Sequence, residues 1–128
     1  MTTTTDSNGT PVTISVRAGS PIGSYIVILD DGTTAGRADF VDSPTVEGER
    51  IFFHTEVDEA YSGRGLAGLL VRRALADSIR HGITVVPVCP LFARHLATHG
   101  DDFVADGGAF RRPSGADTAV VRDALRPD

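Results

Sequence analysis

The residues with chemical potential in this 128-residue chain cluster in one stretch, from His54 to Cys89. His54 and Glu56 sit two apart in the run Phe52-Phe53-His54-Thr55-Glu56-Val57, so a strand presents both on one face, opposite Thr55 and Val57. Imidazole titrates near neutrality, which suits proton removal from a nucleophile; either His54 or Glu56 can serve as a base, directly or through water. The competing reading is a partly buried, structural histidine, because two phenylalanines flank it.

Glycines follow at once, in Ser62-Gly63-Arg64-Gly65-Leu66-Ala67-Gly68, and an amphipathic leucine-rich run begins inside them. A helix start carries unpaired N–H groups and the positive end of the dipole, so Gly63, Arg64, Gly65, Leu66 and Ala67 form a candidate anion cradle. Glycine lets a ligand approach the backbone itself. Gly63, Gly65 and Gly68 also satisfy the dinucleotide-binding spacing, but the ribose-binding acid expected about 20 residues on is missing from Val85-Val86-Pro87-Val88-Cys89. A Walker A loop fails because Leu69 and Leu70 follow where Lys and Ser or Thr are required. A tight turn that binds nothing is the bland alternative.

Cys89 is the only cysteine and ends a β-branched run, Ile83 to Val88, just before a second helical stretch. A helix dipole there stabilises a thiolate, although most free cysteines are small buried hydrophobes. His95 and His99 are one helical turn apart, yet no third ligand accompanies them, so no metal site is expected.

The elements that position these groups follow from periodicity. Val12 to Val16, Tyr25 to Leu29, Thr33 to Val41 and Arg50 to Val57 read as strands, with Asp30-Asp31-Gly32 as a hairpin turn, so the first half is an antiparallel meander. Leu66, Leu69, Leu70, Ala74, Leu75 and Ile79 recur at helical spacing, with Arg72, Arg73, Asp77 and Arg80 assigned to the outer face and Gly82 to the cap. Strand, helix and the strand at Ile83 to Val88 then form a unit with two parallel strands, and Pro87 and Pro90 predict that the second splays away near its end. Leu91 to His99 reads as a helix, Phe103 and Val104 as a brief strand, and Ala119 to Leu125 as a short helix or frayed tail. This predicts a mobile lead-in over residues 1–11, one domain over 12–106, and a C-terminal tail over 107–128.

Composition limits the functions available. The net charge of −5 and pI near 5.2 disfavour nucleic acid as a partner. No apolar run approaches the roughly 20 residues of a membrane span, Met1 to Pro11 lacks the basic and apolar parts of a secretory leader, and the lone cysteine suits a reducing compartment, so a cytoplasmic location is expected.

Taken together, His54-Thr55-Glu56-Val57, Gly63-Arg64-Gly65-Leu66-Ala67-Gly68, the strand ending Val85-Val86-Pro87-Val88-Cys89-Pro90 and the segment Phe92-Ala93-Arg94-His95-Leu96-Ala97-Thr98-His99 resemble the GCN5-related N-acetyltransferase (GNAT) family, in its small single-domain YjdJ-like branch. The resemblance covers about His54 to Phe103; Ser62 stands where the family pattern has Gln or Arg. It implies an α/β (α+β) fold with a mixed, mainly antiparallel sheet, a splayed parallel strand pair and flanking helices. It further implies acetyl-CoA as co-substrate, held by Ser62 and the N–H groups of Gly63 to Gly68, with the backbone of Glu56 and Val57 on the pantetheine arm, and His54, Glu56 and Cys89 as catalytic candidates. The implied acceptor is an amine, on a small molecule or a protein, that attacks the thioester directly in a ternary complex, and the implied assembly is a monomer or homodimer. A non-enzymatic acyl-CoA-binding or sensing module is the alternative, and a Rossmann-type nucleotide binder a distant third.

Overall fold

The structure, a computed structural model, describes residues 2–126. Seven strands, β1 (Thr2–Thr5), β2 (Pro11–Arg17), β3 (Ile22–Leu29), β4 (Thr34–Asp42), β5 (Glu49–Val57), β6 (Thr84–Pro87) and β7 (Ala109–Phe110), lie side by side in chain order. The first five pair antiparallel as consecutive hairpins with no helix between them; β5, β6 and β7 pair parallel. This is the mixed, mainly antiparallel sheet expected of the α/β class. Helices α1 (Leu66–His81) and α2 (Pro90–Ala105) make the two parallel crossovers, and α3 (Gly115–Leu125) follows β7.

Each face of the sheet has its own core. Val12, Ile14, Tyr25, Val27, Phe40 and Phe52 meet Leu70, Ala74 and Phe92 beneath α1 and α2. Phe52 stacks on Phe92 with ring centroids 4.5 Å apart. On the other face Ile51, Phe53, Val86 and Val88 meet Val120 and Val121 of α3. The hinge between the two cores is a bulge in β5: Phe40 opposes Phe52 while Asp39 opposes His54, leaving Phe53 without a partner.

Helix α1 ends as its sequence dictates, with Gly82 at φ 65° donating its N–H to the carbonyls of Ser78 and Ile79. Asp77, assigned by spacing to the outer face, is instead 5% exposed. It accepts a 3.0 Å hydrogen bond from the Tyr25 hydroxyl and lies 3.1 Å from Arg73, so a polar tie fastens α1 to β3. Burial and the neighbouring carboxylate raise the Tyr25 phenol above its ordinary range, keeping it a donor.

Three expectations are corrected. The lead-in takes regular structure over its described part: four threonines, β-branched and suited to an edge, form β1 against Pro11 to Ile14; Met1 lies outside the described residues. Phe103 and Val104 are not a strand but the last turns of α2, because Phe92, Leu96, Gly100 and Phe103 continue one buried helical stripe. The tail beyond residue 106 is, over its described part, β7 and α3 packed on the sheet; the short helix expected at Ala119 to Leu125 is present but starts earlier, at Gly115, after a reciprocal capping box between Ser114 and Asp117, and residues 127–128 lie outside the described residues. Arg111 holds this end, with Nη2 2.7 Å from both Glu49 and Asp117.

Hydrogen bonds from Arg111, and then from Ser114, hold the Asp117 carboxyl at a pKa of about 2. A depressed folded pKa contributes stability above the ordinary carboxylate range, and that stability is lost as pH falls toward about 2. Arg111→Gln should therefore lower unfolding free energy at neutral pH by about 2 kcal/mol. Denaturant titrations of the two proteins at pH 7 and pH 3 check this: the difference should shrink at the lower pH.

Candidate active site

Strands β5 and β6 stay paired from Glu49 opposite Thr84 to Phe52 opposite Pro87. The last link is the Cys89 N–H on the Phe52 carbonyl at 2.8 Å, after which β5 runs on to Val57 without a partner on that side. The splay predicted from the prolines is present, and it opens just after Pro87. On the other side Asp58 donates its N–H to Ala35 at 2.8 Å. By strand alternation the Glu56 backbone then faces β4, and the Thr55 and Val57 backbones face the opening.

A 3-10 turn, Glu59–Tyr61, capped by the Asp58 side chain, carries the chain from β5 into the glycine loop. Gly63 and Gly65 both have positive φ, 81° and 71°, and Gly65 is the N-cap of α1 without any side-chain cap. The backbone N–H groups from Gly63 to Gly68 donate to no carbonyl or side chain among the described residues; the first α1 amide that does is Leu69, on Gly65. Six donors thus surround one turn whose dipole end is positive. The carbonyl side of the loop is occupied instead: Ser7 donates its N–H to Arg64 at 2.9 Å and its hydroxyl to Gly63 at 3.4 Å. Ser7 follows β1 in a turn organised by Asp6, whose Oδ1 accepts from the N–H groups of Asn8 and Thr10. The Asp6 carboxylate is also 4.0 Å from Arg64. The loop is pinned from behind with its donors facing out.

The bulge at Phe53 decides what His54 does. Counted by twos from Phe52, His54 would point under α1; the extra residue turns it to the opposite face, where its side chain is 49% exposed. There His54 Nε2 lies 4.0 Å from Glu56, and Glu56 accepts Arg37 at 2.7 Å. Arg37 also donates to Asp39 at 3.0 Å, and Asp39 accepts the Ser24 hydroxyl. Ser24, Arg37, Glu56 and Asp58 line a cavity of about 770 Å³ on this face.

Cys89 is 3% exposed, the N-cap of α2, with Pro90 as the first helical residue. Its Sγ is 3.4 Å from the Thr55 hydroxyl, so Cys89 and His54 stand on opposite faces of β5. Thr55 joins the candidates although its sequence carried no signal beyond alternation with His54. Ser7 and Asp6 were equally silent, lying in a stretch with nothing to bury. Ser62 is at the end of the 3-10 turn, where its backbone N–H bonds Glu59.

A splayed parallel strand pair, an exposed amide cradle at the following helix and a bulged strand between them frame the comparison with known proteins. Residues 25–106 match the family model for the GCN5-related N-acetyl-transferases. The chain belongs to this family. Solved structures to which it is similar include a GNAT-family protein from Desulfovibrio desulfuricans, 22% identical over 49% of this chain and 40% of that one, with a TM-score of 0.44. The chain therefore spans less than half of that relative's length. A second is the Escherichia coli GNAT N-acetyltransferase YhbS in complex with CoA, 20% identical over 72% of this chain and 67% of that one, TM-score 0.48. A third is a GCN5-like protein from Staphylococcus aureus, 15% identical over 79% and 91%, TM-score 0.49. No curated protein matches the chain significantly.

In this GCN5-related protein the glycine loop depends on a turn nearly 60 residues upstream, which makes the dependence measurable without any ligand. Asp6→Ala leaves the Asn8 and Thr10 N–H groups without an acceptor and should cost about 2 kcal/mol of unfolding free energy. Asp6→Asn, which keeps a carbonyl oxygen at the same place, should recover most of it in the same denaturant titration.

Proposed function

We propose that this chain transfers acetyl from acetyl-CoA to an amine by direct attack in a ternary complex. The observation that carries the reading is the set of free N–H groups from Gly63 to Gly68 at the head of α1, beside the end of a strand that has lost its partner. Those amides suit a pyrophosphate. The open edge of Val57 suits the amide-bearing pantetheine arm by strand-like pairing, and a donor there would polarise the thioester oxygen. Of Glu56 and Val57, Val57 is the better placed for this role, since the Glu56 backbone turns to β4.

The amine would arrive from the face that carries His54 and Glu56, through the cavity that Glu56 lines. The Glu56 carboxylate is engaged by Arg37 at 2.7 Å, so the role of base is assigned to His54 on the same face. The amine nitrogen forms the new bond to the carbonyl carbon, the carbon–sulfur bond breaks, and the departing thiolate takes a proton. Cys89, at the N-terminus of α2 on the far face of the opening, is assigned as that proton source or as a positioning group, with Thr55 fixing its Sγ. Its 3% exposure favours direct transfer over an acetyl-cysteine intermediate, and co-binding of donor and acceptor supplies the acceleration through proximity. A binding module without turnover predicts the same cradle but no release of thiol when an amine is added.

Ala67→Pro tests the cradle, because proline in a helix's first turn deletes an N–H that has no intrahelical partner. Calorimetry should show CoA affinity reduced about tenfold or more, the loss of one charge-assisted hydrogen bond, with the melting temperature little changed; unaltered affinity would remove the cradle from the site. His54→Ala tests the base. It should lower kcat by about 10²–10⁴-fold while leaving the CoA dissociation constant unchanged, and near-normal turnover across the histidine titration range would assign the proton to water or to the amine itself.

A further inference from the structure

Most arginines near the site have carboxylate partners: Arg37 with Asp39 and Glu56, Arg64 with Asp6, Arg73 with Asp77. Arg72 has none within 4.0 Å among the described residues. It sits one helical turn beyond Gly68, and its Nη1 lies 3.0 Å from where a Cβ on Gly68 would be. The guanidinium is therefore folded back against the first turn of α1, beside the exposed amides, in space that only glycine leaves.

From Arg72 a groove of about 490 Å³ runs between α1 and α2, with His95 and His99 on its α2 side. The two imidazoles are 4.8 Å apart between centroids, in successive turns of α2. Burial first, then His99 and Arg72, lower the proton affinity of His95. The other charged groups on the groove, Asp102 and Asp106, lie one and two turns farther along α2. One end of the groove thus gathers a guanidinium and two imidazoles without a bonded carboxylate, and an anion there would relieve their mutual repulsion.

We propose that Arg72, His95 and His99 bind a phosphate monoester, the ribose phosphate of CoA, whose pyrophosphate occupies the adjoining cradle. This rests on the coenzyme reading above. Arg72 supplies a permanent charge close to the amides, and the histidines supply charge that a dianion draws in as protons. Binding therefore takes up protons, and affinity falls as pH rises through the histidine range. A coenzyme without that phosphate lacks both the contact and the pH dependence.

Calorimetric titration of the full chain with CoA and with dephospho-CoA, at pH 6.5 and pH 8.5, tests this. The wild type should prefer CoA by about tenfold at the lower pH and by markedly less at the higher. Arg72→Gln and the double variant His95→Gln/His99→Gln should lose the preference while binding dephospho-CoA as the wild type does. Equal affinities for the two ligands in the wild type, or a preference and pH slope unchanged in both variants, would overturn the assignment. A chain that binds neither ligand would instead overturn the coenzyme reading, and this inference with it.

Discussion

The backbone ladder between β5 and β6 ends at Phe52, and most of the site is a consequence of that ending. The Val88 N–H, next in line to continue it, turns back onto the Val86 carbonyl at 3.1 Å, and the Cys89 N–H makes the last bond across. Beyond this point β5 keeps β4 on one side only, so the backbones of Thr55 and Val57 are left with unmet hydrogen-bonding capacity at the edge of a core. Such groups need a partner, and an amide-bearing chain laid along the strand is one that fits. The glycine loop then places its own unpaired amides at the entrance to the same opening.

Two devices keep this arrangement from collapsing. The bulge at Phe53 lets Phe52 bury itself under α1 and α2 while Phe53 packs toward α3, and the displaced register sends His54 and Glu56 out to the polar face. A bulge-free β5 would have placed an imidazole in an aromatic core. The second device is the N-terminal turn. By taking the carbonyls of Gly63 and Arg64, Ser7 leaves the loop one orientation, with its N–H groups outward. An isolated Gly-Arg-Gly segment has too much backbone freedom to hold that orientation unaided.

The open face of β2 to β4 also follows from topology. Consecutive hairpins from β1 to β5 leave no helix over the cavity that Ser24, Arg37 and Glu56 line. Under the proposed reaction an acceptor on so open a face meets few contacts beyond the charges of Arg37, Asp39 and Glu56, which their ion pairs fix in place. At the other end Arg111, between Glu49 and Asp117, ties β5, β7 and α3 together, so the segment after α2 completes the second core.

By itself the sequence determined the parts set by local periodicity and local backbone chemistry. These are the antiparallel meander, the span of α1 with Gly82 as its cap, and the loop that only glycines at positive φ can form; the splay expected from the prolines is present, but it comes from the Val88 N–H turning back onto Val86, since the Pro87 nitrogen faces β7. It also placed His54 and Glu56 on one face, because both lie beyond the bulge and alternate normally. What it did not carry were features whose cause lies in another segment. The threonines of β1 are unremarkable until β2 gives them a ladder, and Asp6 and Ser7 gain a role only when their turn meets the glycine loop. The helical reading of Phe103 needed the stripe that Phe92 and Leu96 begin, and Asp77 became an inner residue because Tyr25 of β3 offered it a proton. The facing of Arg72 toward His95 and His99 belongs to the packing of α1 on α2, since two helices joined through a buried strand have no local signal for which side chains meet between them.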